Sequence, residues 1–332
     1  MNRIRIAGQA VTSTNYATRR LFNFSPEKVR EAAENFLASG VTEIEIPEGV
    51  LDPEGRCRKE GVDQATLEKT IAGLPAGTKV ISSYFGNAHG DLAASRRKLD
   101  LFMKFFPDFR QTMLHPPGKL DVSDRSAVKA VVDAWVELAR YGAQRRPGFQ
   151  CCLHNHYDTS CETADQVRIW LDLLGEAGEP ALRWGVDTGH SHGMGERYLQ
   201  VLNEYAPLIG NHVHIKARVP AFDKLHSGDA YAPDRDIWGN QAEVGSGLYG
   251  GFVNCADPEI QTPFAEVFKI IREKARPAAG VVTGAVEIDN PRQHPRLEVM
   301  CSVLYLQTVH GLETGLNLDP AQIAGRVFGT RV

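Results

Sequence analysis

No run of the 332-residue chain approaches 18 consecutive apolar residues, so a membrane-spanning helix is excluded from the expectations at once. The first residues, MNRIRIAGQAV, lack the continuous apolar core of a signal peptide, and a cytoplasmic location is expected. Six cysteines, at 57, 151, 152, 161, 255 and 301, form no CxxC pair and no disulfide-dense spacing; they read as reduced thiols. An excess of positive charge is also missing. With 37 Lys+Arg against 41 Asp+Glu the net charge is −4, which argues against a surface built to grip phosphate backbones or anionic lipid. No nucleic-acid or membrane partner is expected; a small substrate is.

What is present is a recurring unit of a short strand-like run, a loop and an amphipathic helix. The strands are expected at 4–8, 42–46, 78–85, 110–115, 149–154, 182–187, 211–216 and 284–288. Helices fall between them, the clearest being the fourth, where Val128, Val131, Val132, Trp135, Leu138 and Ala139 share one 3.6-period face. Ser25-Pro26-Glu27 supplies an N-cap, a proline at the first helical position and an acid in the first turn. Thr163 to Gln166 resembles a capping box. Further helices are expected over roughly 64–73 and near 95–105, 195–206, 262–276 and 295–312. Eight such βα units predict a (β/α)8 TIM barrel, α/β in class, as a single domain over 1–332. The connection 217–262 is far longer than a βα loop normally is; it reads as a lid, a subunit contact or a passive insertion.

Six of the eleven histidines fall in three H-x-H pairs: His154/His156, His190/His192 and His212/His214. Strand alternation sorts their neighbours, since side chains two apart share a face. Cys152 and His154 then point into the barrel, as do Asp187, His212, His214 and Lys216, and Glu287. His154, Asp187, His214 and Glu287 end four successive strands in one phase. A ring of imidazoles and carboxylates at the catalytic end of a barrel can surround a divalent ion; the same groups could also satisfy one another by hydrogen bonds.

His154-Asn155-His156, Asp187-Thr188-Gly189-His190, His212-Val213-His214-Ile215-Lys216 and Glu287 together resemble the motifs of the xylose-isomerase-like TIM barrels, the sugar phosphate isomerase/epimerase superfamily. The resemblance runs from the first strand to the eighth helix. It implies one Mn2+, Mg2+, Co2+ or Zn2+ ion, manganese among the usual choices, held by His154, Asp187, His214 and Glu287, with His190 touching substrate. It also implies proton removal α to a carbonyl of a small oxo-sugar, cyclitol or oxo-glycoside, as an isomerase/epimerase or as a lyase. Two departures matter. His154 stands where many members carry Glu, and Ala217 follows Lys216 where many carry Asp. A symmetric epimerase uses two carboxylates, whereas a one-sided elimination needs one base and one acid, and His154 or His156 can be that group instead of a ligand.

The remaining candidates are open between roles. Lys216 can add positive charge at the substrate oxygen or form a salt bridge to Glu287. Glu45 can hold a substrate hydroxyl or pair with Arg5. His115 can contact substrate or cap its strand, and His212 is a further candidate substrate contact. Alternative functions are an endonuclease IV-like metal nuclease and a non-catalytic sugar-binding barrel. A homo-oligomer is expected, with a second type of subunit left open. Gly245 to Gly250 formally matches GxGxxG but has neither the strand before it nor the helix after it. Asn23-Phe24-Ser25 matches a glycosylation acceptor, yet Ser25 serves better as a helix cap.

Overall fold

A computed structural model describes residues 1–11, 25–48, 64–157, 159–219, 251–289 and 293–328. Eight strands form one sheet: β1 (Arg3–Gln9), β2 (Glu43–Pro47), β3 (Lys79–Phe85), β4 (Gln111–Leu114), β5 (Gln150–Leu153), β6 (Leu182–Trp184), β7 (His212–Ile215) and β10 (Val281–Val286). Their order is β6-β5-β4-β3-β2-β1-β10-β7. Consecutive strands are joined through helices α1 (Pro26–Ala38), α2 (Gln64–Gly73), α3 (Leu92–Phe105), α4 (Arg125–Arg145), α5 (Ala164–Ala177), α6 (Tyr198–Tyr205) and α7 (Phe264–Lys274). Helices α8 (Pro295–Thr308) and α9 (Pro320–Phe328) follow β10. This is the (β/α)8 TIM-barrel fold. No helix among the described residues is long and apolar enough to cross a membrane.

The residues fall into two compact units, one comprising Met1–Ile4, Val80–His214 and Phe264–Gly284, the other Arg5–Lys79, Ile215–Pro263 and Ala285–Val332. In the first unit, β3, β4, β5 and β6 run parallel, with Ser83 opposite Thr112, Met113 opposite Cys152 and Leu153 opposite Trp184. Asp124 caps α4 through the backbone N–H groups of Ser126 and Ala127, and the face expected from periodicity is the buried one. Trp135 of that face stacks on Trp170 of α5 with ring centroids 5.2 Å apart. Thr163 and Gln166 form the expected capping box, and Gly178, at φ 60°, ends α5 in the left-handed conformation that glycine adopts without strain. Gly185 leaves no room for a side chain, because a Cβ there would lie 2.8 Å from Cβ of Cys152 and 2.7 Å from Sδ of Met113.

In the second unit, Ser25 caps α1 and Pro26 opens it, and Val29, Ala32, Ala33 and Phe36 are buried. Phe36 packs so closely on Gly8 of β1 that a Cβ there would meet its ring at 2.3 Å. The two ends of the long 217–262 connection form a hairpin, β8 (Ala217–Val219) pairing antiparallel with β9 (Gly251–Val253). The interior of that connection, including Gly245 to Gly250, lies outside the described residues, as do Asn23 and Phe24.

Three local expectations are corrected. The eighth strand lies at Val281–Val286 rather than at 284–288, with Glu287 just beyond its end. The helix expected near 195–206 is confined to Tyr198–Tyr205. A 3-10 stretch, His190–Arg197, precedes it and is itself kinked at Gly195 (φ 60°, ψ −144°). Arg5 pairs with Glu43, at 3.4 Å, and not with Glu45. The parallel register sets Gln9 opposite Glu45, which carries Glu45 beyond the reach of Arg5.

Candidate active site

The first unit brings four of the expected residues together. Asp187 follows β6 and is fully buried, and the turn after it donates the backbone N–H groups of Gly189 and His190 to its Oδ1, both at 2.8 Å. That double cap fixes the carboxylate plane and aims the other oxygen. Around Oδ2 lie Nε2 of His154 at 3.2 Å, Nδ1 of His214 at 3.6 Å and Nε2 of His190 at 3.9 Å. All three imidazoles are buried. His154, Asp187 and His190 each offer a ligand atom within 4.8 Å of the other two. Buried anionic oxygen among imidazoles is costly without a compensating charge, and the donor set, nitrogen and carboxylate oxygen, is the one that Zn2+ and its neighbours accept. The residues therefore fit a divalent ion.

Half-buried rings border this cluster. His156 stacks on Tyr157, with centroids 4.6 Å apart, and lies 3.9 Å from His190 and 4.7 Å from His115. His115 in turn meets Tyr84 edge-on at 5.5 Å. The Nδ1 of His156 is 2.6 Å from the Tyr157 carbonyl and that of His115 is 2.9 Å from the Pro116 carbonyl. A carbonyl only accepts, so Nδ1 carries the proton in both rings, and in the neutral ring Nε2 is the basic nitrogen. Burial, followed by the charge of neighbouring His154, pushes the His115 pKa down to about 3. His212 is fully buried, its Nδ1 accepting from Nε2 of Gln111 at 2.9 Å. The side chain of His192 lies outside the described residues.

In the second unit, Lys216 is buried between two carboxylates, 3.2 Å from Oε1 of Glu287 and 2.9 Å from Oδ2 of Asp289. The salt bridge expected as one of its two roles is therefore formed, and Asp289 joins it. Burial first, with the like charge of Glu287, raises the Asp289 pKa to about 7 in spite of the Lys216 ammonium. Asp289 escaped the sequence reading although it stands two residues after Glu287, the spacing that shares a strand face. Glu45 of β2 is fully buried. A second residue missed is Asn155, the middle of the first H-x-H pair: its amide binds Trp184, Asp187 and Ser191.

No family model matches the chain. An inosose dehydratase of Yersinia enterocolitica serotype O:8 / biotype 1B is 35% identical over 89 residues, which make up 26% of this chain and 28% of that protein. The chain thus matches less than a third of the length of such curated relatives. Among solved structures, the probable 3-DHS dehydratase AsbF from Bacillus anthracis matches with a TM-score of 0.57 at 14% identity, over 93% of this chain and 99% of that one. The IolI protein, solved with a zinc atom bound, matches with a TM-score of 0.54 at 12% identity, over 90% of this chain and 95% of that one. At such identities the structural likeness shows the fold.

Proposed function

We propose that this chain, a TIM barrel of the xylose-isomerase-like superfamily, is a divalent-metal-dependent lyase of the dehydratase type acting on a small oxo-cyclitol or oxo-sugar. The observation that carries the reading is the convergence of His154, His190 and His214 on one oxygen of Asp187. The ligands proposed are His154, Asp187 and His214, with Glu287 as the fourth on the strength of its strand-end phase and the superfamily resemblance. An imidazole-rich set favours Zn2+ or Co2+ over Mg2+, and Mn2+ belongs in the same assay. When bound, the ion supplies positive charge to a substrate carbonyl and its neighbouring hydroxyl as negative charge develops on them.

The protein's own groups then divide the proton transfers. His156 is assigned as the base: its Nδ1–H is committed to the Tyr157 carbonyl, so Nε2 is the nitrogen that accepts the α-proton. His190, packed against His156, is assigned to a substrate hydroxyl, as is Glu45. His115 and His212 remain proposed substrate contacts. Lys216 is assigned to hold Glu287 in place, with its ammonium as the local source of positive charge. His156 takes the α-proton and gives it back to the departing β-hydroxyl, which leaves as water, and one carbon–carbon double bond is created. His154 in place of a strand-five carboxylate favours this one-sided elimination over two-sided epimerisation. The inosose dehydratase relatives support the same choice. A nuclease is disfavoured by the excess of acidic over basic residues.

The test is metal analysis followed by a solvent-deuterium screen over inososes, oxo-sugars and 3-oxo-glycosides. The expected result is deuterium in recovered substrate or product, lost on chelation and restored by added ion. A metal-loaded protein that exchanges no α-proton in any member of the panel would overturn the proposal.

A further inference from the structure

The ladder between β5 and β6 ends where Leu153 faces Trp184, the last link being the Gly185 N–H donated to the Leu153 carbonyl at 2.8 Å. Asp187 lies beyond that end. On one side it is still paired by backbone, since His214 donates its N–H to the Val186 carbonyl at 3.0 Å and Thr188 donates to the His214 carbonyl at 3.1 Å. On the other side no strand continues, and the Asn155 carboxamide takes the place of a peptide group. Its Oδ1 accepts the Asp187 N–H at 3.0 Å, and its Nδ2 donates to the Asp187 carbonyl at 3.2 Å. The same Oδ1 accepts the Trp184 indole N–H at 3.2 Å, and the same Nδ2 donates to Oγ of Ser191 at 3.3 Å. Ser191 closes the ring by donating its hydroxyl to the Asp187 carbonyl.

All of these groups are buried, so the arrangement has one orientation. Turning the amide over would set its oxygen against the Asp187 carbonyl and its NH2 against two N–H donors, taking their acceptor from the Asp187 N–H and the Trp184 indole N–H. Asn155 turns to Trp184 and Ser191, whereas the rings of His154 and His156 both pack against that of His190. It holds the backbone of Asp187, and through it the carboxylate, without touching the reacting groups.

From these contacts we infer that Asn155 is a positioning residue, which sets the Asp187 carboxylate against His154 and His214 so that the three can share a cation. The inference rests on the metal reading above. It also explains why an amide, with two donor and two acceptor positions on a short stem, stands between two histidines.

The test measures Zn2+ affinity of the full chain by competition with a chromophoric chelator, alongside urea unfolding. Asn155→Ala should bind Zn2+ about 10–100-fold more weakly than the wild-type protein, the range expected when a partner that orients a ligand is lost. Asn155→Ser, which keeps one donor and one acceptor, should fall between the two and serves if the alanine variant does not fold. Trp184→Phe removes one of the four hydrogen bonds of Asn155 without releasing Asp187; it should unfold at lower urea yet bind Zn2+ as the wild type does. Wild-type affinity in both Asn155 variants overturns the inference alone, and so does a Trp184→Phe variant weakened as much as Asn155→Ala. A wild-type chain with no measurable Zn2+ affinity overturns the metal reading and the inference with it.

Discussion

Nε2 of His154 and Oδ2 of Asp187 lie 3.2 Å apart although 33 residues separate them in the chain. Two ligands bound at about 2.0–2.1 Å to a tetrahedral ion stand roughly 3.3 Å from one another, so these two atoms already have the separation that a shared cation requires. Two independent devices maintain it. The N–H groups of Gly189 and His190 hold one carboxylate oxygen, and Asn155 holds the backbone beneath it. Both devices hold the carboxylate through contacts that do not involve an ion, the kind of support that a precise ligand geometry needs.

Asp187→Asn should fold and lose the ion. The amide oxygen can still accept from the Gly189 and His190 N–H groups, which preserves the turn, but an NH2 donor replaces the oxygen that faces the imidazoles. Elemental analysis after dialysis, with far-UV circular dichroism as the check on folding, decides it; a full equivalent of retained metal contradicts the assignment. Glu287→Gln carries the same expectation.

His115 should remain neutral at every pH where the protein works. Its folded pKa of about 3 lies below the ordinary value of 6.5. As pH falls below about 6.5 the unfolded chain takes up a proton that the folded ring refuses. The stability this ring contributes is complete above that pH and is lost as pH falls toward 3. A 15N-resolved imidazole spectrum should show the Nδ1–H tautomer unchanged from pH 8 to pH 5, and a His115→Gln variant should be less sensitive to acid. A His115 resonance titrating near 6.5 would refute this account.

The Lys216, Glu287 and Asp289 group should make metal-free protein less stable as pH rises. The Asp289 pKa is raised from 3.8 to about 7, so the folded state keeps a proton that the unfolded chain gives up. Its contribution is full below about pH 4 and disappears as pH rises through 7. Asp289→Asn should flatten that part of the profile. Lys216→Met removes the ammonium that lies between two buried acids and should cost up to about 3–5 kcal/mol at neutral pH, less at pH 5 where Asp289 stays protonated. Urea unfolding in chelator at pH 5 and pH 8 tests both, and equal losses for Lys216→Met at the two values would rule out the coupling.

Local regularities were legible where burial imposes them. The stripe from Val128 to Ala139 is the buried face of α4, and Ser25 and Thr163 cap their helices as expected, because an amphipathic period and an orphaned helix N-terminus are visible within one turn of chain. Register was not legible. The pairing of Arg5 with Glu43 instead of Glu45, and the start of the last strand at Val281, depend on how strands from distant parts of the chain align.

The amino-acid sequence by itself therefore determined the succession of strands and helices and the presence of imidazoles and acids at strand ends, since both follow from short-range spacing. Only the tertiary structure decided that Asp187 turns one oxygen toward three histidines, that Asn155 stands in for a missing strand, and that Asp289 joins Lys216 and Glu287. Those relations are set by hydrogen bonds between segments far apart in the chain. Their distances and angles exist only once the backbone has closed around them.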